Sequence, residues 1–180
     1  VLTINEIQYA SSITLDQSDI SLEVAESAIL VATILPELAI NKAVTWSSSD
    51  ESIATVDANG VVTAIAVGEA TITATTVDGS NLSASCKVTV IPTLATSITI
   101  DKSEISLEAK ETDTLVATVF PELATEKSVE WSSSDESVAT VDENGLVTAI
   151  AVGEAVITAT TTDGSNLSAS CKATVFIIEA

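Results

Sequence analysis

An internal repeat with a spacing of 85 residues constrains this 180-residue chain more than any other feature. The block WSSSDESIATVDANG, which begins at Trp46, returns as WSSSDESVATVDENG from Trp131. Residues 12–90 align with residues 97–175 without a gap, and the two copies differ at 20 of 79 positions. A unit of this length is too long for a solenoid repeat, so the sequence predicts two domains in tandem.

The predicted domain boundaries follow from the repeat. Residues 12–90 form the first predicted domain, and residues 97–175 form the second. Between them, residues 91–96 (IPTLAT) are predicted to be a short linker. Residues 1–11 are predicted to be an N-terminal linker or the end of a preceding domain, and residues 176–180 a C-terminal tail. Because the linker has one proline and no glycine, we expect a semi-rigid connection and a rod-like pair.

Alternating apolar and polar residues indicate β-strands throughout both copies. In the run Ala70–Thr76, alanine and isoleucine occupy one face while threonine occupies the other. No segment shows a helical period. About seven short strands in each copy, separated by turn signals, predict an all-β fold of two tandem antiparallel sandwiches.

A hairpin turn is predicted within the repeated block. The sequence Asp57-Ala58-Asn59-Gly60 separates two β-branched runs, and Asn-Gly is a strong hairpin signal because both residues tolerate positive φ. The second copy has the same pair at Asn144 and Gly145. We therefore expect Asn and Gly to supply the positive φ values of both turns.

The strand phase assigns the largest and the most reactive side chains to the core. Trp46, Trp131 and Phe120 fall at inward positions, and so few aromatic residues remain that a carbohydrate-binding face is disfavoured. Cys86 and Cys171 alternate in phase with Ala and Val, which predicts small buried hydrophobes instead of reactive thiols. With one cysteine in each copy, an intradomain disulfide is impossible.

These motifs resemble the bacterial immunoglobulin-like domain, group 2. The matching stretches, present in both copies, are WSSSDES from Trp46, ATVD from Ala54, VTAIAVG from Val62 and CKVTV from Cys86, where the second copy has CKATV. The resemblance implies an immunoglobulin-like sandwich found in tandem in bacterial and phage surface proteins. These include adhesins of the intimin and invasin type and large glycan-handling proteins. It implies no catalytic residues.

The charge balance excludes some partners. The chain has 26 acidic and 6 basic residues, a net charge of −20. Binding to nucleic acid requires clustered Lys and Arg, and an anionic membrane surface would repel the chain. The acidic residues are dispersed, which favours a soluble monomer. No apolar run reaches the roughly 18 residues that span a bilayer, so membrane insertion is not predicted.

Catalysis is not predicted. The chain has many serines but no histidine and no G-x-S-x-G motif. Paired carboxylates for glycoside hydrolysis would need a cleft, for which a small sandwich has little room. We therefore predict that the protein is not an enzyme and has no resident cofactor.

Weak calcium binding is an alternative interpretation of two acidic positions. Asp57 and Asn59 resemble the start of a calcium loop, but the glycine comes too early and the bidentate glutamate is missing. Asp101 and Glu104 lie near the predicted domain junction, where they could meet acids from loops of the first domain. A metal at the junction would make it more rigid.

The function predicted from sequence is that of a structural spacer in a bacterial cell-surface or secreted protein. Its expected partners are neighbouring domains of the same longer chain, and its expected location is extracellular. One alternative is an adhesion module that binds a host or cell-surface protein through residues 37–42 and 122–127, where the copies differ. A second is an accessory module of a secreted glycan-active enzyme.

Overall fold

The computed structural model describes residues 7–178, and the chain divides into two compact units between Pro92 and Thr93. Over that described range each unit consists of nine short strands and no helix. The strands of the first unit are β1 (Ser12–Leu15), β2 (Asp19–Glu23), β3 (Ser27–Ile29), β4 (Ala32–Leu35), β5 (Val44–Ser48), β6 (Ala54–Val56), β7 (Val61–Ala64), β8 (Gly68–Thr76) and β9 (Ser83–Ile91). Those of the second are β10 (Ser97–Ile100), β11 (Glu104–Glu108), β12 (Thr112–Thr114), β13 (Ala117–Phe120), β14 (Val129–Ser133), β15 (Ala139–Val141), β16 (Leu146–Ala149), β17 (Gly153–Thr161) and β18 (Ser168–Phe176).

In the first unit, two layers of sheet enclose the core. One layer is a four-stranded sheet in the order β2-β9-β8-β5. The other is formed by the three-stranded sheet β3-β7-β6 and the two-stranded sheet β1-β4. The second unit has the same arrangement, with sheets β11-β18-β17-β14, β12-β16-β15 and β10-β13. The predicted all-β sandwich in tandem is therefore confirmed.

Two breaks in each unit explain nine strands instead of about seven. Residues 29–35 do not form one strand, because Leu30 donates its N–H to the carbonyl of Gly60 and so continues the β3–β7 pairing, whereas β4 pairs with β1. Val31, between them, donates to the carboxylate of Asp16. β1 and β2 are likewise separate strands that belong to two different sheets.

One ladder in each unit departs from the antiparallel pattern. β2 pairs with β9 in parallel register, from Asp19↔Lys87 to Glu23↔Ile91. β11 and β18 form the equivalent parallel pair in the second unit. The chain can make this pair because it changes sheets between β1 and β2, so β2 lies beside the last strand.

The core of the first unit comes from the inward faces of both layers. Its fully buried members include Leu30, Ile72, Val62 and Val88, each no more than 1% exposed. The corresponding cluster of the second unit is built around Leu115, Ile157 and Val147. Small side chains dominate elsewhere in both clusters, so the two layers approach closely and leave little space for a ligand.

Part of each predicted linker belongs to a domain. We call residues 8–11 and 93–96 the leading segments. In the second unit Thr93 donates its N–H to Oγ1 of Thr125, and Thr96 donates to the carbonyl of Phe120. In the first unit the carbonyl of Gln8 accepts the N–H of Ile40. The equivalent bond of the second unit, 85 residues further on, runs from the N–H of Thr125 to the carbonyl of Thr93, so both domains extend towards their N-termini.

Candidate functional site

Trp46 lies half-buried on β5 with its ring over the turn between β6 and β7. It packs against the core cluster, as does Trp131 in the second domain. A Cβ atom added to Gly60 would lie 2.9 Å from Cζ2 of Trp46 and 2.4 Å from the carbonyl oxygen of Leu30. The turn can approach the indole this closely because residue 60 has no side chain.

Shallow depressions flank Trp46 on both sides. One has a volume of about 280 Å³ and is lined by Val44, Thr45, Val56 and Asp57 along with the indole. The other, of about 250 Å³, lies between β5 and the segment 29–32. Both are open to solvent and lined mainly by short side chains, and neither contains a group of converging polar side chains such as a catalytic cleft requires.

The carboxylate of Asp57 organises the turn that follows it. Its Oδ1 atom accepts the N–H of Asn59 at 2.8 Å and that of Val61 at 2.9 Å. The Val61 N–H makes the largest contribution to lowering the pKa of Asp57. Gly60 has a φ of +79°, and Gly145 has the same value. The prediction that asparagine would share the positive φ is wrong, because Asn59 and Asn144 are not among the positive-φ residues. The turn is built with a single left-handed residue followed by a bulge.

Three of the four calcium candidates take part in local hydrogen bonds. Asp57 and Asn59 satisfy their own turn, while Oδ1 of Asp101 accepts the N–H of Val116 at 2.8 Å. Glu104 lies at the first position of β11 with its side chain exposed. Within residues 7–178 there is no cluster of three or more Asp, Glu, Cys or His side chains arranged to hold a metal. Calcium binding stays a prediction that titration can test.

The serine-rich loop after Trp46 serves the fold. Asp50 accepts the hydroxyl of Ser52 at 2.5 Å and its N–H at 2.9 Å, and these bonds lower the pKa of Asp50. Oγ of Ser49 accepts the N–H of Thr71 at 2.8 Å and so ties the loop to β8. Asp135 and Ser137 repeat the first arrangement. The conspicuous polar cluster of the sequence is therefore a connection between the two layers.

A carboxylate on the loop between β8 and β9 binds the leading segment of the same domain. Oδ2 of Asp78 accepts the N–H of Ala10 at 2.5 Å, while Oδ1 accepts the N–H and hydroxyl of Ser80. The Ala10 bond and then the Ser80 bonds lower the pKa of Asp78 to about 2. Sequence reasoning missed this contact because the two residues are 68 positions apart and share no local pattern. The available signal was the repetition of the alanine and the DGSN motif at the same spacing.

Asp163 binds Ala95 in the same way in the second domain. The distance from the Ala95 N–H nitrogen to Oδ2 is 2.5 Å. Bonds from the Ser165 hydroxyl and from Ala95 lower the pKa of Asp163 to about 2. Each domain thus attaches the residues that precede its first strand to its own last loop.

The two cysteines are buried, whereas Phe120 is exposed. Cys86 and Cys171 are free thiols with no exposed surface, and burial raises the pKa of both. Phe120 was expected to point inward, but it is 42% exposed. The preceding residue of β13, Val119, is the buried one, so alternation turns Phe120 to the outer face of the sheet.

Five of the six lysines are paired with a carboxylate, which makes them poor candidates for a general base. Lys42, Lys87, Lys102, Lys127 and Lys172 each form an ion pair with a carboxylate at 2.6–3.1 Å. The partner carboxylates raise the pKa of three of them, Lys87, Lys102 and Lys172. A lysine acting as a general base needs the opposite shift. As for membranes, residues 7–178 contain no helix able to cross a bilayer.

The layers, the strand order and the Trp-over-glycine packing define an immunoglobulin-like β-sandwich, present twice. The chain belongs to the bacterial Ig-like domain (group 2) family, whose model matches residues 10–88 and again residues 94–173. The resemblance inferred from the sequence motifs is thereby confirmed. Domains of this family are generally non-catalytic.

Three relatives illustrate where similar domains occur. An uncharacterised protein of Clostridium acetobutylicum is 47% identical over 167 residues, which is 93% of this chain and 17% of that protein. An Ig-like virion protein of Serratia phage KSP90 is 38% identical over 84% of this chain and 60% of its own length. An alpha-L-arabinofuranosidase of Bifidobacterium longum subsp. longum is 40% identical over 64% of this chain, but only 11% of the enzyme is matched. The chain thus spans between about a tenth and three fifths of these relatives.

Proposed function

We propose that the two domains are non-catalytic structural spacers of a bacterial cell-surface or secreted protein, where they project a functional domain. The leading segment of the second domain carries this proposal. Ile91 ends β9, and hydrogen bonds to the second domain begin at Thr93, so Pro92 is the one residue between two bonded stretches. A connection this short, with φ fixed by proline, restricts independent rotation of the domains.

An extracellular setting is supported by the kinds of protein that share these domains. A phage virion protein is among the relatives, and an adhesive or wall-associated role is compatible with the net charge of −20. Dispersed negative charge keeps such a module soluble and limits association between copies.

Small-angle scattering can test the restricted connection. We expect the native chain to fit a narrow distribution of maximum dimensions. A variant with a flexible Gly-Ser segment inserted after Pro92 should give a clearly broader distribution, because Gly-Ser linkers behave as random coils. An equally broad distribution for the native chain would contradict a stiff spacer. Unchanged thermal unfolding of the insertion variant would show that both domains remain folded.

Absence of catalysis is part of the proposal and has its own test. The support is the lack of a cleft around Trp46 and the carboxylate pairing of five lysines. We expect incubation with chromogenic pyranosides and furanosides to release no more chromophore than buffer does. Release that persists after repurification and disappears on heat denaturation would show an activity.

An accessory role in a glycan-active enzyme is the second candidate function. It is favoured by the match to an arabinofuranosidase, of which the Ig-like region is a small part. The discriminating observation is the rest of the polypeptide, where a glycosidase domain would support this role. Binding of the isolated pair to host cells would instead support adhesion through residues 37–42 and 122–127.

A further inference from the structure

The first and last regions of each domain are joined directly by a ladder of parallel strands. In the first domain the ladder covers five residue pairs, from Asp19↔Lys87 to Glu23↔Ile91. In the second it runs from Glu104↔Lys172 to Glu108↔Phe176. We call these two ladders the parallel clamps. They are the segments through which tension between the two ends of a domain must pass.

We propose that each domain is a mechanical element that resists tension between its N- and C-terminal ends, and that the parallel clamp supplies the resistance. Tension pulls the start of β2 and the end of β9 in opposite directions along the strand axis. All hydrogen bonds of the ladder are then strained together. A single backbone hydrogen bond contributes little net free energy, so its resistance is small unless several bonds must break at once.

Antiparallel neighbours pulled from one end behave differently. In the β17–β18 pair, Gly153 lies opposite Val175 at one end of the ladder. Tension applied to those two neighbouring residues would open the ladder one pair at a time. The domain therefore contains one ladder whose hydrogen bonds are strained together and another whose bonds open one pair at a time. The direction of pulling selects which of them bears the tension.

Buried side chains couple the clamp to the core. Ile20 and Leu22 of β2 are 9% and 8% exposed, and Ile105 and Leu107 of β11 are 6% and 7% exposed. Sliding of β2 along β9 would withdraw both apolar side chains from the core cluster while the backbone bonds break. Exposure of a buried Leu or Ile side chain to water is unfavourable, which adds to the barrier.

A second attachment lies ahead of the clamp on the same path. β1 pairs with β4 over four residue pairs, and the carboxylate of Asp78 holds the N–H of Ala10 before β1 begins. Force from the N-terminal side meets this attachment first and the parallel clamp next. Resistance to tension goes beyond the spacer role, because it follows from the topology of each domain and holds whatever the domains project.

Single-molecule force spectroscopy on the whole chain tests the proposal. With tension applied between the two chain ends, we expect two abrupt unfolding events. Ser12–Ile91 spans 80 residues, so each event should lengthen the molecule by roughly 280 Å, less the folded separation of the ends, at about 3.5 Å per residue. Forced unfolding reports the kinetic barrier and not the equilibrium stability.

The matched control changes only the direction of pulling. Val152 is 59% exposed and directly precedes Gly153, so a Val152→Cys handle paired with the C-terminal end opens β17 from β18. Cys86 and Cys171 are fully buried and do not compete for the handle. We expect the mean rupture force to be several-fold lower than with end-to-end tension at the same loading rate. Equal forces in the two directions would overturn the proposal.

Two core substitutions distinguish the contribution of the parallel clamp to the rupture force from that of the overall stability of the domain. Leu22→Ala removes a buried side chain from the clamp, whereas Ile72→Ala removes one from β8. Both should lower the free energy of unfolding, but only Leu22→Ala should lower the rupture force of the first domain. If both lower the force equally, resistance reflects overall stability and the proposal is wrong. Should Leu22→Ala fail to fold, the comparison of directions remains decisive on the native clamp.

Discussion

The two domains share one fold but distribute their stabilising interactions differently. At four positions that face the core the second domain has the smaller side chain: Val119 for Ile34, Val138 for Ile53, Ala173 for Val88 and Ala109 for Val24. These changes remove six methylene or methyl groups, worth at most about 5 kcal/mol of transfer free energy at about 0.8 kcal/mol each. The second domain has in exchange an ion pair that the first lacks.

That ion pair joins the β10–β11 connection to β12. Nζ of Lys102 lies 2.6 Å from Oδ1 of Asp113 and 3.0 Å from the carbonyl oxygen of Thr114. The equivalent residues of the first domain are Gln17 and Ala28. About a third of each charged side chain is exposed, so solvent screens the pair and its contribution is small. A surface charge pair therefore does not compensate for the lost core volume. We expect the first domain to have the larger free energy of unfolding and to unfold last.

The largest effect should come from the glycine beneath each tryptophan. Gly60→Ala and Gly145→Ala each place a Cβ 2.4 Å from a backbone carbonyl oxygen, at a φ of +79°. We expect a loss of about 3 kcal/mol or more in each domain, measured by denaturant unfolding. Gly79→Ala is the control, because its φ is +96° but no atom lies within 4 Å of the added Cβ. Equal losses for the control would mean that the backbone conformation, and not the indole contact, decides the cost.

Exchange of the core residues at one position tests the main difference between the domains. Val88→Ala should destabilise the first domain by about 2–3 kcal/mol, since it loses two methyl groups and leaves a cavity at a site with no exposure. It should bring the two unfolding transitions closer together in calorimetry. Ala173→Val is the reciprocal variant and should raise the second transition. A loss below about 1 kcal/mol for Val88→Ala would place the difference outside the core.

A third comparison concerns the turn between β2 and β3 in the first domain and the equivalent turn between β11 and β12 in the second. Ala25 and Lys110 have φ values of +70° and +80°, a region that costs a residue with a side chain about 1–2 kcal/mol. After the entropy cost of glycine, Ala25→Gly and Lys110→Gly should each stabilise their domain by about 0.5–1 kcal/mol. Thermal unfolding can measure this, with Ala58→Gly, in the turn before Gly60, as a control that should not stabilise. A gain confined to one domain would show that the turns are not equivalent.

The smallest effect should come from the ion pair of the second domain. The bond from Lys102 lowers the pKa of Asp113 below its usual 3.8. A lowered carboxyl pKa stabilises the fold above the unfolded value, and that contribution is lost as pH falls through the folded value. Asp113→Ala should therefore reduce the free energy of unfolding slightly at pH 7. It should also abolish the part of the acid-induced loss of stability that comes from protonation of Asp113. A loss unchanged in high salt would indicate packing instead of charge.

The sequence was sufficient to predict the sandwich, its duplication and the burial phase of the last strands. Those features depend on alternation, as in the run Ala70–Thr76, and alternation is visible in the residues themselves. The parallel β2–β9 pair could not be predicted, because strand partners distant in sequence leave no local signal. The phase predicted for β13 was wrong by one residue, because Val119 is the inward side chain and Phe120 alternates to the outer face of the sheet.

The candidate site was harder to predict for a similar reason. The repeated block places Asp50 and Asp57 among other polar residues, yet their carboxylates bind backbone N–H groups of turns. Asp78, which the sequence did not single out, binds a backbone N–H group of the leading segment. A sequence shows which carboxylates exist, whereas their partners depend on tertiary structure. Asp78 and Ala10 are 68 residues apart, and only the folded domain reveals the bond.

The parallel clamp also determines when a domain can finish folding. Asp19 and its partner Lys87 are separated by 68 residues, so the first strands of a nascent domain must wait for the last. Sheets dominated by such distant pairings fold in milliseconds to seconds. During synthesis at about 5–20 residues per second, the first domain therefore stays open until its C-terminal strand emerges. The apolar residues of its core therefore remain unpaired with the last strand for several seconds.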